Sequence, residues 1–477
     1  MKLKLRAILA LLMACTTLSA FCADVKTVNS LEELMPYLTQ DNVNVKMTPG
    51  TYKFTVKDAK NKNFKNTIDV VEGKFTHALV MIKGNNCTYD FTDVTIEVET
   101  KVFNAYGTEF NELHVVGSNN HVKNLTMVDV GDVLDFPKFG CVNTIVDGES
   151  NCIEGITIRS TGSFPYGYGE LFGKGGPTTI KHKKHSALLV RGLKNHIKNC
   201  NIYHRAYGHC LFMQAADLPL IEGCYIEGAL TTTDEVLKEA GSGSRADLIN
   251  FKTVWGYKVP KGHTIALTEA GIRAYNTGNT IINGERFTKR STSNATVRDC
   301  TVKNARVGVV IAHSKGKNLI ENCTAIGVSS TGYSTSNGGK IINCKADVTF
   351  GPAFVIPYEQ NRNITADIIL TGYPEKERYV GNGSKQVAVI KGSGHNITFR
   401  LDPSLTKKDM KDYVIKVGGD DALIGNLDKI DDFKASKNKI TNETAFAMEL
   451  GKQTSDNTIV SAGKVTDLGT NNTVTKK

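Results

Sequence analysis

Four side chains in the middle of the sequence could together move a proton and stabilise a negative charge. His209 ends the segment His204-Arg205-Ala206-Tyr207-Gly208-His209, and Glu269, Arg273 and Tyr275 follow close to one another. An imidazole and a phenol can each act as a general acid or base. A guanidinium can hold a carboxylate or stabilise an enolate-like anion. These four residues are therefore the candidate catalytic set.

Other cationic and aromatic residues are candidates for substrate binding, because they can hold anionic groups or offer flat faces to ring-shaped ligands. They are Lys184, His185, Arg205, His313, Tyr166, Tyr168 and Trp255. The two tyrosines lie on a glycine-rich stretch, and the tryptophan is the single one of the chain. No metal ligand is assigned, since no Cys/His cluster has zinc-site spacing and no acidic cluster stands out. No cofactor is evident, although a divalent cation such as calcium stays open.

The elements that must position these residues form a repeat. A turn residue, Asn, Asp or Gly, is followed by a cysteine and a strand-like stretch at Asn199-Cys200, Gly223-Cys224, Asp299-Cys300, Asn322-Cys323 and Asn343-Cys344. Three of the spacings are 24, 23 and 21 residues. A period in this range without helical periodicity predicts a solenoid, with three short strands and three turns in each rung. The cysteines then form an apolar column inside the coil, and the Asn and Asp residues occupy a bend that tolerates unusual backbone angles.

The start of the repeat carries a resemblance. The motif Met47-Thr48-Pro49-Gly50-Thr51-Tyr52 follows a short amphipathic segment, Ser30 to Leu38, which begins with a Ser30…Glu33 capping box. This arrangement resembles the entry into a right-handed parallel β-helix, and residues 25–400 are similar to the pectate-lyase-like superfamily of carbohydrate-active proteins. The resemblance implies an all-β coil with a helical N-terminal cap. It implies less about chemistry, because this fold hosts lyases, hydrolases, esterases and non-catalytic proteins.

Three segments are expected along the chain. Residues 1–23 form a signal peptide, residues 24–401 form the β-helix, and residues 402–477 form irregular terminal coils with a C-terminal cap. Insertions interrupt the coil near 159–184 and 229–268, where the period breaks. Function on a solenoid is expected where such insertions rise from one face.

The first residues and the net charge bear on location and partners. A cationic start followed by a short apolar stretch predicts export, and Leu12-Met13-Ala14-Cys15 resembles a lipobox, so that Cys15 could carry a lipid anchor. The protein would then be periplasmic, secreted or an outer-membrane lipoprotein. No later apolar run is long enough to span a bilayer. The formal charge of +10 favours a polyanionic partner, and export favours an acidic polysaccharide or oligosaccharide over nucleic acid.

The sequence does not decide which face of its strand His209 occupies. If Ile272 and Ala274 point into the coil, Arg273 and Tyr275 point outward, because side chains alternate along a strand. The same alternation would send His209 inward, and a slip of one residue would reverse that. His209 could therefore face either the groove or the core.

Three functions compete. A polysaccharide lyase acting on a uronate-containing glycan by β-elimination would use His209 or Tyr275 as acid or base, with Arg273 and Arg205 holding the carboxylate. A glycoside hydrolase or transglycosidase would instead pair Glu269 with another carboxylate, and the candidates are Asp234, Glu235 and Asp247. A non-catalytic glycan-binding surface protein would show the aromatic loops without a converging acid–base set. The lyase is the favoured hypothesis.

Overall fold

The computed structural model describes residues 24–71, 74–131, 139–161, 183–252, 258–259, 261–262, 264–347, 351–372, 386–403, 405, 413–419 and 433–477. The chain winds into a right-handed parallel β-helix, as the repeat predicts. Most turns of the coil give two short strands to one sheet, here the long sheet, and one strand to a second sheet, here the site sheet. The three-strand rung of the sequence analysis is confirmed.

The strands of the long sheet are Val25–Val28, Asn44–Met47, Gly50–Phe54, Thr88–Glu99, His121–Val130, Cys152–Glu154, Thr157–Ser160, His196–Lys198, Asn201–His204, Leu220–Glu222, Tyr225–Gly228, Thr296–Arg298, Thr301–Lys303, Leu319–Glu321, Thr324–Ile326, Lys340–Asp347, Thr365–Thr371, Asn396–Leu401, Lys439–Asn442, Thr458–Ser461 and Thr473–Lys476. Those of the site sheet are Asn66–Val71, Lys74–Ile82, Phe110–Val115, Cys141–Val146, His185–Leu193, His209–Asp217, Ala270–Ala274, Val307–Val310, Thr331–Ser334, Phe354–Ile356, Gln386–Ile390, Val414–Val417, Ala447–Leu450 and Val465–Asp467.

The remaining elements are short. Two antiparallel pairs are Leu230–Thr232 with Thr264–Ala266 and Thr277–Ile282 with Glu285–Ser291, and a third small parallel sheet holds Gly392–Ser393, Ala435–Ser436 and Thr454–Ser455. The α-helices are Leu31–Leu34, Thr233–Leu237 and Arg245–Leu248, and the 3₁₀ helices are Met35–Thr39, Asp58–Lys60, Lys62–Phe64 and Thr100–Asn104. Among the described residues, no helix has the length and hydrophobicity that crossing a membrane requires.

The repeated cysteines and turn residues lie where the period places them. Cys200, Cys224, Cys300, Cys323 and Cys344 are buried in the single large apolar cluster that runs through the coil. Asn199, Asp299, Asn322 and Asn343 adopt positive φ angles of 52° to 54°, and Asn343 Nδ2 donates to Asn322 Oδ1 at 2.9 Å. The short polar side chains thus tolerate the left-handed bend and bond to the next rung.

A second column of asparagines ties the rungs together from inside. The backbone N–H of Asn120 donates to Oδ1 of Asn151, and the N–H of Asn151 donates to Oδ1 of Asn195, both at 2.9 Å. Asn151 Nδ2 in turn donates to the carbonyl of Gly117 at 2.8 Å. These buried amides pair turn backbone groups that would otherwise lack partners.

The N-terminal cap forms as expected. Ser30 Oγ accepts a hydrogen bond from the N–H of Glu33 at 3.1 Å, and the Glu33 carboxylate accepts one from the N–H of Asn29 at 2.7 Å. Leu31, Leu34 and Leu38 are buried against the first rung, so this segment shields the open end of the coil.

The region after residue 401 differs from the sequence-based expectation of irregular coils. Asn396–Leu401 pairs in parallel with Lys439–Asn442, which pairs with Thr458–Ser461, which pairs with Thr473–Lys476. Among the described residues beyond 401, parallel rungs therefore continue as far as strand Thr473–Lys476. Their polar composition hid them, because a few inward residues such as Ile440 and Ile459 supply the core there.

The second insertion builds a small core of its own. Helices Thr233–Leu237 and Arg245–Leu248 enclose an apolar cluster that contains Val236, Phe251 and Ile265 and reaches Tyr207 on the coil. The insertion therefore braces the turn that leads into strand His209–Asp217. Of the first insertion, residues 162–182 lie outside the described residues.

Candidate active site

A cavity of about 280 Å³ opens on the outer face of the site sheet. Its lining residues are Glu109, Gly140, Cys141, Val142, Lys184, Ser186, His209, Phe212, Gln214 and Tyr275. They come from neighbouring parallel strands, since Cys141–Val146 pairs with His185–Leu193, which pairs with His209–Asp217, which pairs with Ala270–Ala274. We call it the His209 cavity.

His209 and Tyr275 form its chemical centre. Nε2 of His209 lies 2.7 Å from the hydroxyl oxygen of Tyr275, which is hydrogen-bonding distance. The ring of Phe212 packs against both, with centroids 5.1 Å from His209 and 6.2 Å from Tyr275. His209 thus lines the cavity, which settles the register that the sequence left open.

The burial of this pair shifts both protonation equilibria toward the neutral forms. Burial lowers the pKa of His209 well below its ordinary value, and the charges of Lys184, Arg273 and Arg306 lower it further, against the opposing charge of Glu269. Burial together with the Glu269 carboxylate raises the pKa of Tyr275 to about 12. Near neutral pH the pair is therefore an uncharged imidazole beside a protonated phenol.

Glu269 lies behind this pair among positive charges. Its carboxylate accepts a hydrogen bond from Lys184 Nζ at 2.5 Å and lies 3.6 Å from both His209 Nε2 and an Arg306 guanidinium nitrogen. Burial alone would raise the pKa of Glu269, but the facing groups His209, Lys184 and Arg306 outweigh it and lower the pKa to about 2. Glu269 is thus a permanent carboxylate and cannot donate a proton as a general acid.

The balance of charge around the cavity is positive. The Arg273 guanidinium lies 5.2 Å from the centroid of the Tyr275 ring, and its Nε has no hydrogen-bond partner among the described residues. With Lys184 and Arg306, three cations face one ionised carboxylate. Glu109 lines the cavity, and burial raises the pKa of its carboxyl. Three cations therefore outnumber the two carboxyl groups. An anionic ligand group would be attracted here.

The structure brings together five of the sequence-predicted residues: His209, Glu269, Arg273 and Tyr275, together with Lys184. His185 is a correction. Its side chain is buried inside the coil, where Nε2 lies 3.1 Å from Asn143 Oδ1 and the ring meets Phe103 edge-on. Because it alternates with the outward Lys184 and Ser186, it supports the rung and has no contact with the cavity.

The remaining predicted binding residues are dispersed. Arg205 is exposed and does not line the His209 cavity. His313 lines a separate cavity with Tyr358. Tyr166, Tyr168 and Trp255 lie outside the described residues, as do residues 1–23, on which the predicted signal peptide and Cys15 fall.

The carboxylates considered for hydrolysis have local roles. Asp247 accepts hydrogen bonds from the N–H groups of Gly241 and Gly243, and those bonds lower its pKa. Asp234 accepts from Gly262, and Glu235 pairs with Lys238. None of these carboxylates lines the His209 cavity, so the expected partners of Glu269 are wrong.

Sequence reasoning missed Arg306, and it did not anticipate that Lys184 pairs with Glu269. Arg306 is buried and precedes strand Val307–Val310. A charged residue at the start of an otherwise apolar stretch was the available signal. The described lining of the cavity does not fit a calcium site, because Glu109 is its single carboxyl and Glu269, behind the lining, is bonded to Lys184.

Comparisons with known proteins find remote likenesses to solved structures. No family model matches the chain, and no curated protein matches it. Solved structures of similar shape include a PL6 alginate lyase in complex with a trisaccharide, with 9% identity and a TM-score of 0.43 over 94% of this chain and 88% of that one. Another is the A-module of an Azotobacter vinelandii mannuronan C-5 epimerase, with 9% identity and a TM-score of 0.35 over 91% and 89%. A third is a Streptococcus pneumoniae surface adhesin, with 11% identity and a TM-score of 0.38 over 90% and 83%. At these identities and TM-scores the likeness assigns neither a family nor an activity.

Proposed function

We propose that the protein is an exported polysaccharide lyase that cleaves an acidic, uronate-containing glycan by β-elimination at the His209 cavity. The observation that carries this proposal is the Tyr275–His209 pair, whose atoms lie 2.7 Å apart beside an excess of positive charge. Elimination needs a base that removes the proton from the carbon bearing the uronate carboxylate. It also needs cations that stabilise the resulting enolate. Both requirements meet in this cavity.

The geometry suggests how each residue acts. Arg273 and Lys184 hold the uronate carboxylate, which makes the proton on the adjacent C5 easier to remove. The Tyr275 oxygen takes that proton while its own proton passes to His209 Nε2. The resulting imidazolium faces the Glu269 carboxylate, 3.6 Å from Nε2. A C4–C5 double bond then forms, the C4–O bond breaks, and the leaving oxygen receives the proton back through Tyr275.

Hydrolysis is less well supported by the same cavity. It requires one carboxyl that donates a proton and a second carboxylate placed across the sugar. Glu269 has a pKa of about 2 and is bonded to Lys184. The carboxylates expected to partner it lie in the second insertion and bond to its backbone or to a lysine.

The test is to incubate the protein with a panel of uronate polysaccharides and record both ultraviolet absorbance and reducing ends. Elimination produces both signals, because the new chain end carries a conjugated double bond. The variant Tyr275→Phe should lower kcat by about 10²–10⁴-fold, since it removes the hydroxyl that transfers the proton. Tyr203→Phe is the matched control, because Tyr203 lies on the long sheet beneath Arg159.

Each other outcome has a defined meaning. Reducing ends without absorbance would identify a hydrolase. Neither signal on a broad panel would leave a non-catalytic glycan-binding protein. Full activity of Tyr275→Phe would refute the assigned proton transfer.

A further inference from the structure

A second and larger cavity of about 630 Å³ lies further along the coil and is absent from the proposed mechanism. It begins at Asn276, the residue after Tyr275, and continues past the ends of strands Val307–Val310, Thr331–Ser334 and Phe354–Ile356. These strands follow Ala270–Ala274 in consecutive order across the site sheet. At about 4.8 Å per strand, the cavity extends from the catalytic pair over about 14 Å. We call it the Tyr358 cavity.

The lining has the chemistry of a site for a sugar that carries negative charge. Tyr358 offers a half-exposed aromatic ring, Asn276, Gln360 and Asn337 offer amides, and Lys315 offers a cation. Aromatic faces and amides are suited to sugar rings and hydroxyl groups. None of the described lining residues is Asp or Glu, so nothing in the lining repels a carboxylate.

The cavity is preformed rather than loose. The N–H of Tyr358 donates to Asn361 Oδ1 at 3.1 Å, and Asn361 Nδ2 donates to Asn337 Oδ1 at 3.2 Å. On the other side, His313 Nε2 lies 3.3 Å from the Tyr358 hydroxyl. The aromatic ring is thus held from two directions, which reduces the entropy lost when a ligand binds.

Arg273 acts on one residue of each cavity, Tyr275 and His313. Its guanidinium lies over the Tyr275 ring on one side. On the other side, burial and the positive charge of Arg273 both lower the pKa of His313. A single cation therefore acts on the catalytic pair and on the wall of the Tyr358 cavity.

We propose that the Tyr358 cavity binds further uronate units of the same glycan chain that is cleaved beside Tyr275. The glycan would run across successive strands of the site sheet, with one carboxylate near Arg273 and another near Lys315. This inference rests on the proposed function. If it holds, cleavage depends on the length of the glycan chain, and the protein prefers polymers to short fragments.

The experiment compares uronate oligosaccharides of increasing length on Tyr358→Ala, on Lys315→Ala and on the unaltered protein. For hexamers each variant should lower kcat/KM by about 10-fold, which corresponds to ~1.4 kcal/mol of lost contact. For the shortest cleaved fragment kcat/KM should not change. Phe75→Ala is the control, because Phe75 is an exposed aromatic residue outside both cavities.

Binding separates the failure of this inference from the failure of the proposed function. In calorimetry, a uronate hexamer should bind Tyr275→Phe more tightly than the doubly substituted Tyr275→Phe, Tyr358→Ala protein. Hexamer binding that depends on Tyr358 without any cleavage by the unaltered protein would overturn the lyase and keep the site. Cleavage with equal losses for short and long substrates, or with no loss, would overturn the site. No binding of any uronate oligosaccharide would overturn both.

Discussion

Replacing Asp147 should release the hairpin Thr277–Ser291, which follows Tyr275 of the His209 cavity. Asp147 is fully buried at the end of strand Cys141–Val146, and its carboxylate meets His114 Nε2 at 2.7 Å and Arg191 at 3.6 Å. From the hairpin Thr277–Ser291, the Thr280 hydroxyl donates to it at 2.6 Å and the Ile281 N–H at 3.3 Å. One buried carboxylate thus joins two rungs to the hairpin that starts two residues after Tyr275.

The size of the effect follows from this burial. Removing one partner of a buried, hydrogen-bonded charge network costs about 3–5 kcal/mol, whereas an exposed ion pair contributes about 0–1 kcal/mol. Asp147→Asn keeps the shape of the side chain and removes the charge that faces Arg191. We therefore expect the free energy of hairpin opening to fall by about 3–5 kcal/mol. At about 1.4 kcal/mol per tenfold, this speeds exchange there by roughly two to three and a half orders of magnitude.

Hydrogen exchange resolved by mass spectrometry is the appropriate assay, because a long coil need not unfold in one step. Amides of residues 277–291 should lose protection in Asp147→Asn, and those of the remote strand Lys439–Asn442 should not. The control is Asp234→Asn, since Asp234 is an exposed carboxylate on a helix of the second insertion. Thr280→Val removes only the contribution of one hydroxyl and should give a smaller effect of about 1 kcal/mol.

The stability of the hairpin should also depend on pH, through the ionisation of Asp147. Burial alone would raise the pKa of Asp147, but Arg191, His114 and the Thr280 hydroxyl outweigh it and lower the pKa in the folded protein. Its stabilising effect is therefore full above the unfolded value of about 3.9 and is lost as the pH falls through the lowered folded value. Equal hairpin exchange in Asp147→Asn and the unaltered protein at neutral pH, or a difference that persists after the pH has fallen below the folded pKa of Asp147, would refute this account.

Two further predictions concern thiols and acid–base behaviour. Of the nine cysteines that the structure describes, only Cys152 is partly exposed. Among these nine, a thiol reagent should therefore modify Cys152 alone in the folded protein and all of them after denaturation, as peptide mass spectrometry would show. Rapid modification of several of the other eight would contradict the buried column. Because the pKa of His209 is lowered, the acid limb of kcat/KM on a cleaved glycan should lie below pH ~6.5. Glu269→Gln should move that limb lower still, since the Glu269 charge raises the pKa of His209, and a shift upward would exclude His209 as the titrating group.

The fold was largely accessible from the sequence. The column from Cys200 to Cys344 and the bend residues such as Asn199 recur because each rung repeats the same environment, so position in the period predicts burial and backbone angle. The strands after residue 401 were missed because few inward residues, such as Ile440 and Ile459, signal them. A terminal rung needs only a narrow apolar stripe, and polar residues fill the rest.

The site was accessible only in part. Alternation predicted that Arg273 and Tyr275 lie on one face. In the structure the Arg273 guanidinium lies over the ring of Tyr275, directly after strand Ala270–Ala274, whose Ile272 and Ala274 are buried in the core. Alternation could not decide whether His209 and His185 face the core or the outer surface. Their strands carry apolar residues at both odd and even positions, so a shift of one residue would exchange the two faces. Glu269 was a candidate catalytic carboxylate in the sequence. Its neighbours His209, Lys184 and Arg306 keep it ionised, and only the tertiary structure brings them to it.

The sequence by itself determined the coil, its period and the polarity of its surface, because these depend on local patterns that each rung repeats. Tertiary structure alone decided which charges meet. Lys184 bonds to Glu269 across 85 positions, and Thr280 bonds to Asp147 across 133. Insertions of unequal length separate these partners, so the period no longer gives their spacing. The lowered pKa values of Glu269 and Asp147 follow from those contacts, as does the attachment of the hairpin to the coil.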